Sequence, residues 1–96
     1  MYARIASFEG GDVDKVKEFG QGQMAAGAAL PAGAQRAQLL QDTASNRRLF
    51  IVWFDTLANA EAAEAQFEAM GDEVDESVRG TRTSVARYEV VLDGTP

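Results

Sequence analysis

"RRLFIVWFDT", residues 47–56, contains six consecutive apolar residues, three of which are aromatic. Side chains of a strand alternate between the two faces of its sheet. One face of the sheet therefore receives Leu49, Ile51 and Trp53. The other face receives Phe50, Val52 and Phe54. A strand that is apolar on both faces needs cover on both of them. We expect this strand to be central in its sheet, with a packing partner on each side.

The rest of the chain predicts a strand–helix–strand unit that occurs twice. Gly10 and Gly11 end the first strand, and Asp12 is placed to cap the first helix. Asn59 is placed to cap the second helix, and Gly80 lies where that helix ends. The predicted elements are strands at 2–9, 35–43, 48–55 and 81–92, and helices at about 13–30 and 60–78.

This order, βαββαβ, predicts an α+β fold. Right-handed crossovers place both helices on one face of a four-stranded antiparallel sheet, in which the first and third strands are central. The length of the chain predicts a single domain. We assign residues 1–92 to this domain and residues 93–96 to a short C-terminal tail.

The two predicted helices differ in the quality of their apolar faces. From Ala60 to Val78, apolar residues recur at spacings of three and four, and the carboxylates beside them are expected to be solvated. The first helix contains Gly20 and Gly22, each of which costs about 0.5–1 kcal/mol relative to Ala. We expect a kink or fraying at these glycines and an end at Pro31. They either loosen a helix beside a pocket mouth or simply lower its stability, and they do not match a phosphate-binding loop.

The composition excludes several classes of function. The net charge is −6 and the basic residues are scattered, which argues against binding to nucleic acid or to an anionic membrane. The chain has no His and no Cys, so zinc fingers, thiol chemistry and His-ligated haem are not available to it. No apolar stretch reaches the ~18 residues of a membrane helix, and no signal peptide is recognisable. We expect a cytoplasmic protein with no cofactor and no metal.

The sheet face that the helices leave free determines the expected oligomeric state. Covering a few hundred Å² of apolar surface is worth several kcal/mol at about 25 cal/mol per Å². An exposed face with three large apolar side chains on its central strand exceeds what monomers usually show. A second copy, packed sheet to sheet about a two-fold axis, covers it most economically. We predict a homodimer through the sheet faces. The alternatives are a different partner protein or a third helix, for which the sequence has no segment.

Three stretches of the sequence resemble a known superfamily: "YARIASFEG", "LLQDTASNRRLFIVWFDTLANAEAAEA" and "VARYEVV". They resemble the dimeric α/β-barrel superfamily, ferredoxin-like dimers that include the antibiotic-biosynthesis monooxygenase family. Trp53, followed by "FDTLANAEA", is similar to a Trp that many members place at the end of the third strand. The resemblance covers nearly the whole chain and implies a ferredoxin-like homodimer. It does not imply one activity, because the superfamily includes enzymes of several kinds.

The departures from the superfamily pattern narrow the expected chemistry. "PAGAQ" stands where members often have Pro-Gly-Phe. The haem-degrading branch uses a His and a Trp on the second helix and an Asn in the first strand. This chain has no His, and Ala62 and Ser7 stand where the Trp and the Asn are expected. The resemblance therefore argues against haem degradation and leaves cofactor-free oxidation of a small aromatic compound open.

Three side chains have both a functional and a structural interpretation. Trp53 either lines a ligand pocket or packs in the core. Tyr88 and Arg4 lie on neighbouring strands and could together hold an anionic substrate oxygen. Arg4 could instead pair with a carboxylate at the sheet edge, such as Glu89 or Glu9, or with one from the dimer mate.

Two functions therefore remain open. In the first, the chain binds a small apolar or aromatic ligand in a pocket between helices and sheet, either as a binding protein or as a cofactor-free monooxygenase-like enzyme. Trp53, Tyr88, Arg4 and Ser7 are the candidate ligand-binding residues. In the second, it is a non-catalytic homodimeric module whose interior is core packing only. The first interpretation predicts a connected cavity reached by at least two polar groups, and the second predicts none.

Overall fold

The strands and helical segments follow the order that the sequence predicts, in a computed structural model that describes residues 1–95. The elements are β1 (Tyr2–Glu9), α1 (Val13–Ala25), β2 (Ala34–Gln41), β3 (Arg47–Phe54), α2 (Leu57–Ala62), α3 (Glu64–Asp72), α4 (Glu76–Arg79) and β4 (Thr81–Glu89). The last strand thus ends at Glu89 and not at residue 92. Of the predicted tail, Pro96 lies outside the described residues.

The four strands form one antiparallel sheet in the order β2-β3-β1-β4. The predicted α+β, ferredoxin-like βαββαβ fold is therefore confirmed. β1 and β3 are the central strands, as the apolar character of residues 49–54 requires. β2 and β4 are the edge strands.

α1 begins where the sequence predicts and ends earlier than expected. The carboxylate of Asp12 accepts hydrogen bonds from two backbone N–H groups of the first turn. The helix passes through its two glycines as one element and ends at a left-handed residue, Gly27, whose φ is 76°. The N–H of Gly27 donates to the carbonyl of Met24 at 3.1 Å. The prediction that Pro31 ends the helix was wrong, because Gly27 terminates it first.

The second predicted helix is divided into α2, α3 and α4. Its N-cap is Thr56, whose hydroxyl accepts from the N–H of Asn59 at 3.2 Å, so the prediction of an Asn59 cap was wrong. Ala63 keeps right-handed backbone angles between α2 and α3, and Asp75 is extended before α4. No helix among residues 1–95 has the length and apolar character needed to span a membrane.

The core lies between the central strands and α2–α3. Its buried members are Val52, Phe54, Ala60, Ala63 and Phe67. The ring of Phe67 makes edge-to-face contacts with the rings of β3, at 6.2 Å between centroids in both cases. Within the described chain, α1 contributes no buried residue. Within the single helical layer, α2 and α3 thus supply buried residues to the core, and α1 does not.

The strand register assigns each side chain to one face of the sheet. Arg4 pairs with Val52, which belongs to the core, so both point toward the helices. Ala3 pairs with Trp53 on one side and with Tyr88 on the other. Residues opposite each other in an antiparallel pair share a face. Trp53 and Tyr88 therefore lie on the face away from the helices.

Candidate functional site

The sheet face away from the helices, here called the open face, carries most of the apolar surface left without cover. Its apolar members are Ala3, Ile5, Leu40, Leu49, Ile51, Trp53, Ala86 and Tyr88. Leu49 is 38% exposed, Leu40 43% and Tyr88 56%. The helices of residues 1–95 all belong to the opposite layer and cover none of these side chains.

Three of the four predicted site residues lie on the open face. Trp53 is half-buried there, and its Nε1 donates to Oε1 of Gln38 on the neighbouring strand at 2.9 Å. Ser7 lies opposite Leu49, and Tyr88 lies opposite Ala3. A pocket between helices and sheet could therefore be reached by Arg4 but not by the other three. The structure brings Trp53, Tyr88 and Ser7 to one surface without placing Arg4 among them.

A cleft of about 430 Å³ lies at one end of the open face and is lined by residues of all four strands. Ser7 and Ser84, which pair across β1 and β4, line it together with Leu49. Arg47 also lines it, and its guanidinium binds the carboxylate of Asp42 at 3.1 Å. The cleft combines hydroxyl, charged and apolar groups, and a second chain on the open face would lie directly against it.

On the helix side, Arg4 is held by a carboxylate and an aromatic ring. It is only 2% exposed, and its Nε and Nη2 donate to the two carboxylate oxygens of Glu64 at 3.0 and 2.9 Å. Its guanidinium carbon lies 4.3 Å from the ring centroid of Phe67. Arg87 approaches the same carboxylate at 3.6 Å. The hydrogen bond from Arg4 is the main cause that lowers the pKa of Glu64, and partial burial opposes it.

This arrangement corrects two expectations. Arg4 and Tyr88 do not converge on one substrate oxygen, because neighbouring positions on their strands place them on opposite faces. The partner of Arg4 is Glu64, whereas Glu89 and Glu9 were the expected carboxylates, and Glu64 was assigned to a solvated flank. The missed signal was the charged residue among apolar neighbours in β1. A buried Arg needs hydrogen-bond acceptors for its guanidinium, and a carboxylate from the facing helix is one group that can supply them.

A second buried arginine was also missed. Arg48 is 2% exposed, and its Nη1 and Nη2 donate to the carbonyl of Gly10, both at 2.6 Å. Nη1 also donates to the carbonyl of Arg79, at the end of α4, and Nη2 to the side chain of Asn46. Arg48 thus joins the β1–α1 turn, the β2–β3 turn and the end of α4. These contacts hold backbone in place and leave no guanidinium group directed at a ligand.

The space beneath α1 differs from the rest of the helix–sheet interface. The connection from β1 to β2 must cross β3, and α1 lies on the helix side because it contacts α4. Its inward positions, such as Val16 and Phe19, are only half-buried. On the sheet, Phe50 is half-buried and its neighbour Leu39 is 39% exposed, although both face the helices. We call these four residues the α1 region.

No group of His, Cys, Asp and Glu side chains within residues 1–95 is arranged to hold a metal ion. The chain contains neither His nor Cys. The donors preferred by haem iron are thus missing, and the residues present do not fit a His-ligated or thiolate-ligated haem.

Comparison with known proteins identifies the fold. No model of a known protein family matches the sequence, and no curated protein sequence matches it either. A search of solved structures finds a crystal structure of a mutant of MhuD with two manganese protoporphyrin IX molecules bound per active site. The TM-score is 0.66, the sequence identity is 19%, and the match covers 100% of both chains. The chain has the fold of MhuD. The fold that the resemblance implied is confirmed over the whole chain, and the low identity limits the conclusion to the fold.

Proposed function

We propose that the chain is a homodimeric, small-ligand-binding protein of the dimeric α/β-barrel type. Two copies pack through their open faces, and each copy binds an apolar or aromatic compound in its α1 region. The observation that carries the ligand-binding part is the unequal packing of the helices within their one layer. α2 and α3 supply buried residues to the core, whereas α1 supplies none within residues 1–95.

The α1 region supports this site because its apolar side chains, on the helix and on the sheet, are only half-buried or exposed. Phe50 offers an aromatic wall that is backed by Phe67, since the two rings are in edge-to-face contact. Leu39 keeps 39% of its surface exposed beside it. Ligand sites are typically concave, largely apolar and reached by few polar groups. An aromatic compound of a few rings at most would restore the burial that α1 does not provide.

The homodimer follows from the open face. Exposed Leu40, Leu49 and Tyr88 lie together with half-buried Ile51 and Trp53 on a sheet without a covering layer. A twin sheet covers the same set of side chains on both copies at once, as two-fold symmetry requires. In that dimer, Trp53, Tyr88 and Ser7 become interior residues of the barrel.

The bound porphyrin of MhuD is compatible with a flat apolar ligand on this fold. For this chain we favour a smaller aromatic compound, because no His or Cys is present to ligate a haem iron. If the protein is an enzyme, cofactor-free oxidation of such a compound is the reaction class that the resemblance implies. The alternative, a non-catalytic dimer, is supported by the engagement of Arg4 with Glu64, because the guanidinium of Arg4 is already paired with a carboxylate.

The test is a titration of ¹⁵N-labelled protein with phenols, naphthols and hydroquinones, followed by amide and indole NMR shifts. Saturable shifts centred on Phe50 and Leu39, with the Trp53 indole signal unchanged, support the site. Phe50→Leu should weaken binding. Leu40→Ala should not, because Leu40 follows Leu39 in β2 and lies on the other face of the sheet. Shifts confined to Trp53, Tyr88 and Ser7 would move the site to the open face. No saturable shift with any compound would favour the non-catalytic module.

A further inference from the structure

We propose that residues 20–30, here called the flap, open and close over the α1 region, and that Met24 and Leu30 contact the ligand when the flap closes. The inference rests on the proposed ligand site. It adds the segment that admits the ligand and two binding residues on that segment. The grounds are how this segment is attached, what its side chains touch and how its helix is built.

Within residues 1–95, the backbone hydrogen bonds that join this part of the chain to other elements lie at the flanks of the flap, whereas residues 20–28 are bonded locally within α1 and its C-terminal turn. On the N-terminal side, the N–H of Asp12 donates to the carbonyl of Val78 at 2.8 Å, and Arg48 holds the carbonyl of Gly10. On the C-terminal side, Pro31 is buried and accepts a hydrogen bond from the N–H of Ala34 at 3.0 Å. Both anchors lie outside residues 20–30. The segment between them can therefore move while its two ends stay in place.

Between these anchors, the side chains of the flap make few contacts. Of residues 21–30 only Gln23 is half-buried, and the others are exposed. The ion pairs of the described chain all involve arginines elsewhere, at positions 4, 47, 82 and 87. Segments with few buried apolar contacts open locally at much lower free energy than the core does. The flap is such a segment, and α3 with its buried Phe67 is not.

The sequence of the flap also weakens its helix. Gly20 and Gly22 lie inside α1, and an added Cβ at either position would meet no atom within 4 Å. Neither glycine is therefore required by close packing. An interior Gly lowers helix stability relative to Ala, which makes unwinding from the C-terminal end easier. Because no atom of the structure lies close to them, we assign to these glycines the effect of easier opening.

Met24 and Leu30 give the flap an exposed apolar surface. Met24 is 73% exposed and Leu30 is 50% exposed. Met adapts its shape readily to a neighbouring surface and suits binding to flat apolar compounds. Closing over an apolar ligand would bury both side chains on the same side of the sheet as Leu39 and Phe50. The ligand chemistry this favours is therefore apolar or aromatic, without a charged group at the flap.

Hydrogen exchange measured by NMR tests the flap first without any ligand. We expect amides of residues 20–28 to exchange at least ~10-fold faster than those of α3. Gly20→Ala combined with Gly22→Ala should slow this exchange by about two- to five-fold for each substitution. Gly71→Ala, at a helical glycine of α3 with equally open surroundings, is the matched control and should leave the flap unchanged. Exchange in the flap that is as slow as in α3 would overturn the inference.

The same measurement with 1-naphthol as the probe separates the flap from the proposed site. If shifts at Phe50 show binding and flap exchange slows several-fold, both proposals stand. If shifts at Phe50 show binding and flap exchange does not change, the flap is overturned and the site remains. If 1-naphthol does not bind, the result counts against the site, and the exchange gradient of the free protein decides the flap. Met24→Ala should weaken binding, whereas Leu92→Ala, which is 91% exposed and outside the flap, should not.

Discussion

Replacing Leu49 by Asp should abolish the proposed dimer. Leu49 is 38% exposed on the open face. Full burial of a Leu is worth about 1.5–3 kcal/mol, so covering the remaining exposure contributes about 0.5–1 kcal/mol in each copy and about 1–2 kcal/mol per dimer. Asp removes this contribution and places two carboxylates in an apolar interface, where desolvation costs several kcal/mol per ion. Together these terms exceed about 4 kcal/mol, so the dissociation constant should rise at least roughly a thousandfold.

Sedimentation equilibrium at micromolar concentration measures this change directly. The unmodified chain should sediment with the mass of two chains, and Leu49→Asp with the mass of one. Leu57→Asp is the matched control, because Leu57 is 40% exposed but lies at the start of α2 on the helix side. That variant should remain dimeric. The reasoning is refuted if the unmodified chain is a monomer, or if Leu49→Asp still dimerises as tightly as Leu57→Asp.

Three further predictions concern the interactions that hold the fold. The pKa of Glu64 is lower in the folded state than its ordinary value of 4.5. The carboxylate therefore stabilises the fold at pH values above 4.5, and this stabilisation is lost as the pH falls through the folded-state pKa. Urea unfolding at a series of pH values should show this loss, and Glu64→Gln should make the free energy of unfolding less dependent on pH. Arg48→Met removes the donors to the carbonyls of Gly10 and Arg79 and should lower the free energy of unfolding, measured in urea, by about 2–4 kcal/mol. Arg47→Met is the control, because that side chain is 64% exposed, and it should change the free energy of unfolding by less than about 1 kcal/mol. Thr56→Ala removes the N-cap of α2 and should cost about 1 kcal/mol in thermal unfolding, and Thr56→Ser should restore most of it.

The strand order followed from the sequence because alternation and connectivity leave few choices. Residues 49–54 are apolar on both faces, which identifies a central strand, and right-handed crossovers then fix the order of the others. The face that carries Trp53 could not be assigned in the same way. Phe50, Val52 and Phe54 form a set as apolar as Leu49, Ile51 and Trp53, so hydrophobicity alone does not rank them.

The apolar periodicity of the sequence also could not predict the contacts of the buried arginines. Periodicity places Glu64 beside the apolar face of a helix, and its exposure then depends on what the sheet presents to it. Arg4 happens to present a guanidinium there, 60 residues away along the chain. Such a pairing depends on register and crossover geometry together, and a shift of one residue in β1 would turn Arg4 to the other face.

The two interpretations of the glycines in α1 are now distinguishable on physical grounds. If Gly20 and Gly22 only lower stability, alanines at these positions should raise the free energy of unfolding and leave ligand exchange unaltered. If they set how easily the flap opens, the same alanines should also slow ligand association and dissociation, because the flap must move in both steps. The open surroundings of both glycines mean that alanine adds helix stability without a clash. Equilibrium unfolding combined with NMR line shapes of the bound probe would therefore separate a helix that is merely weak from one that controls access.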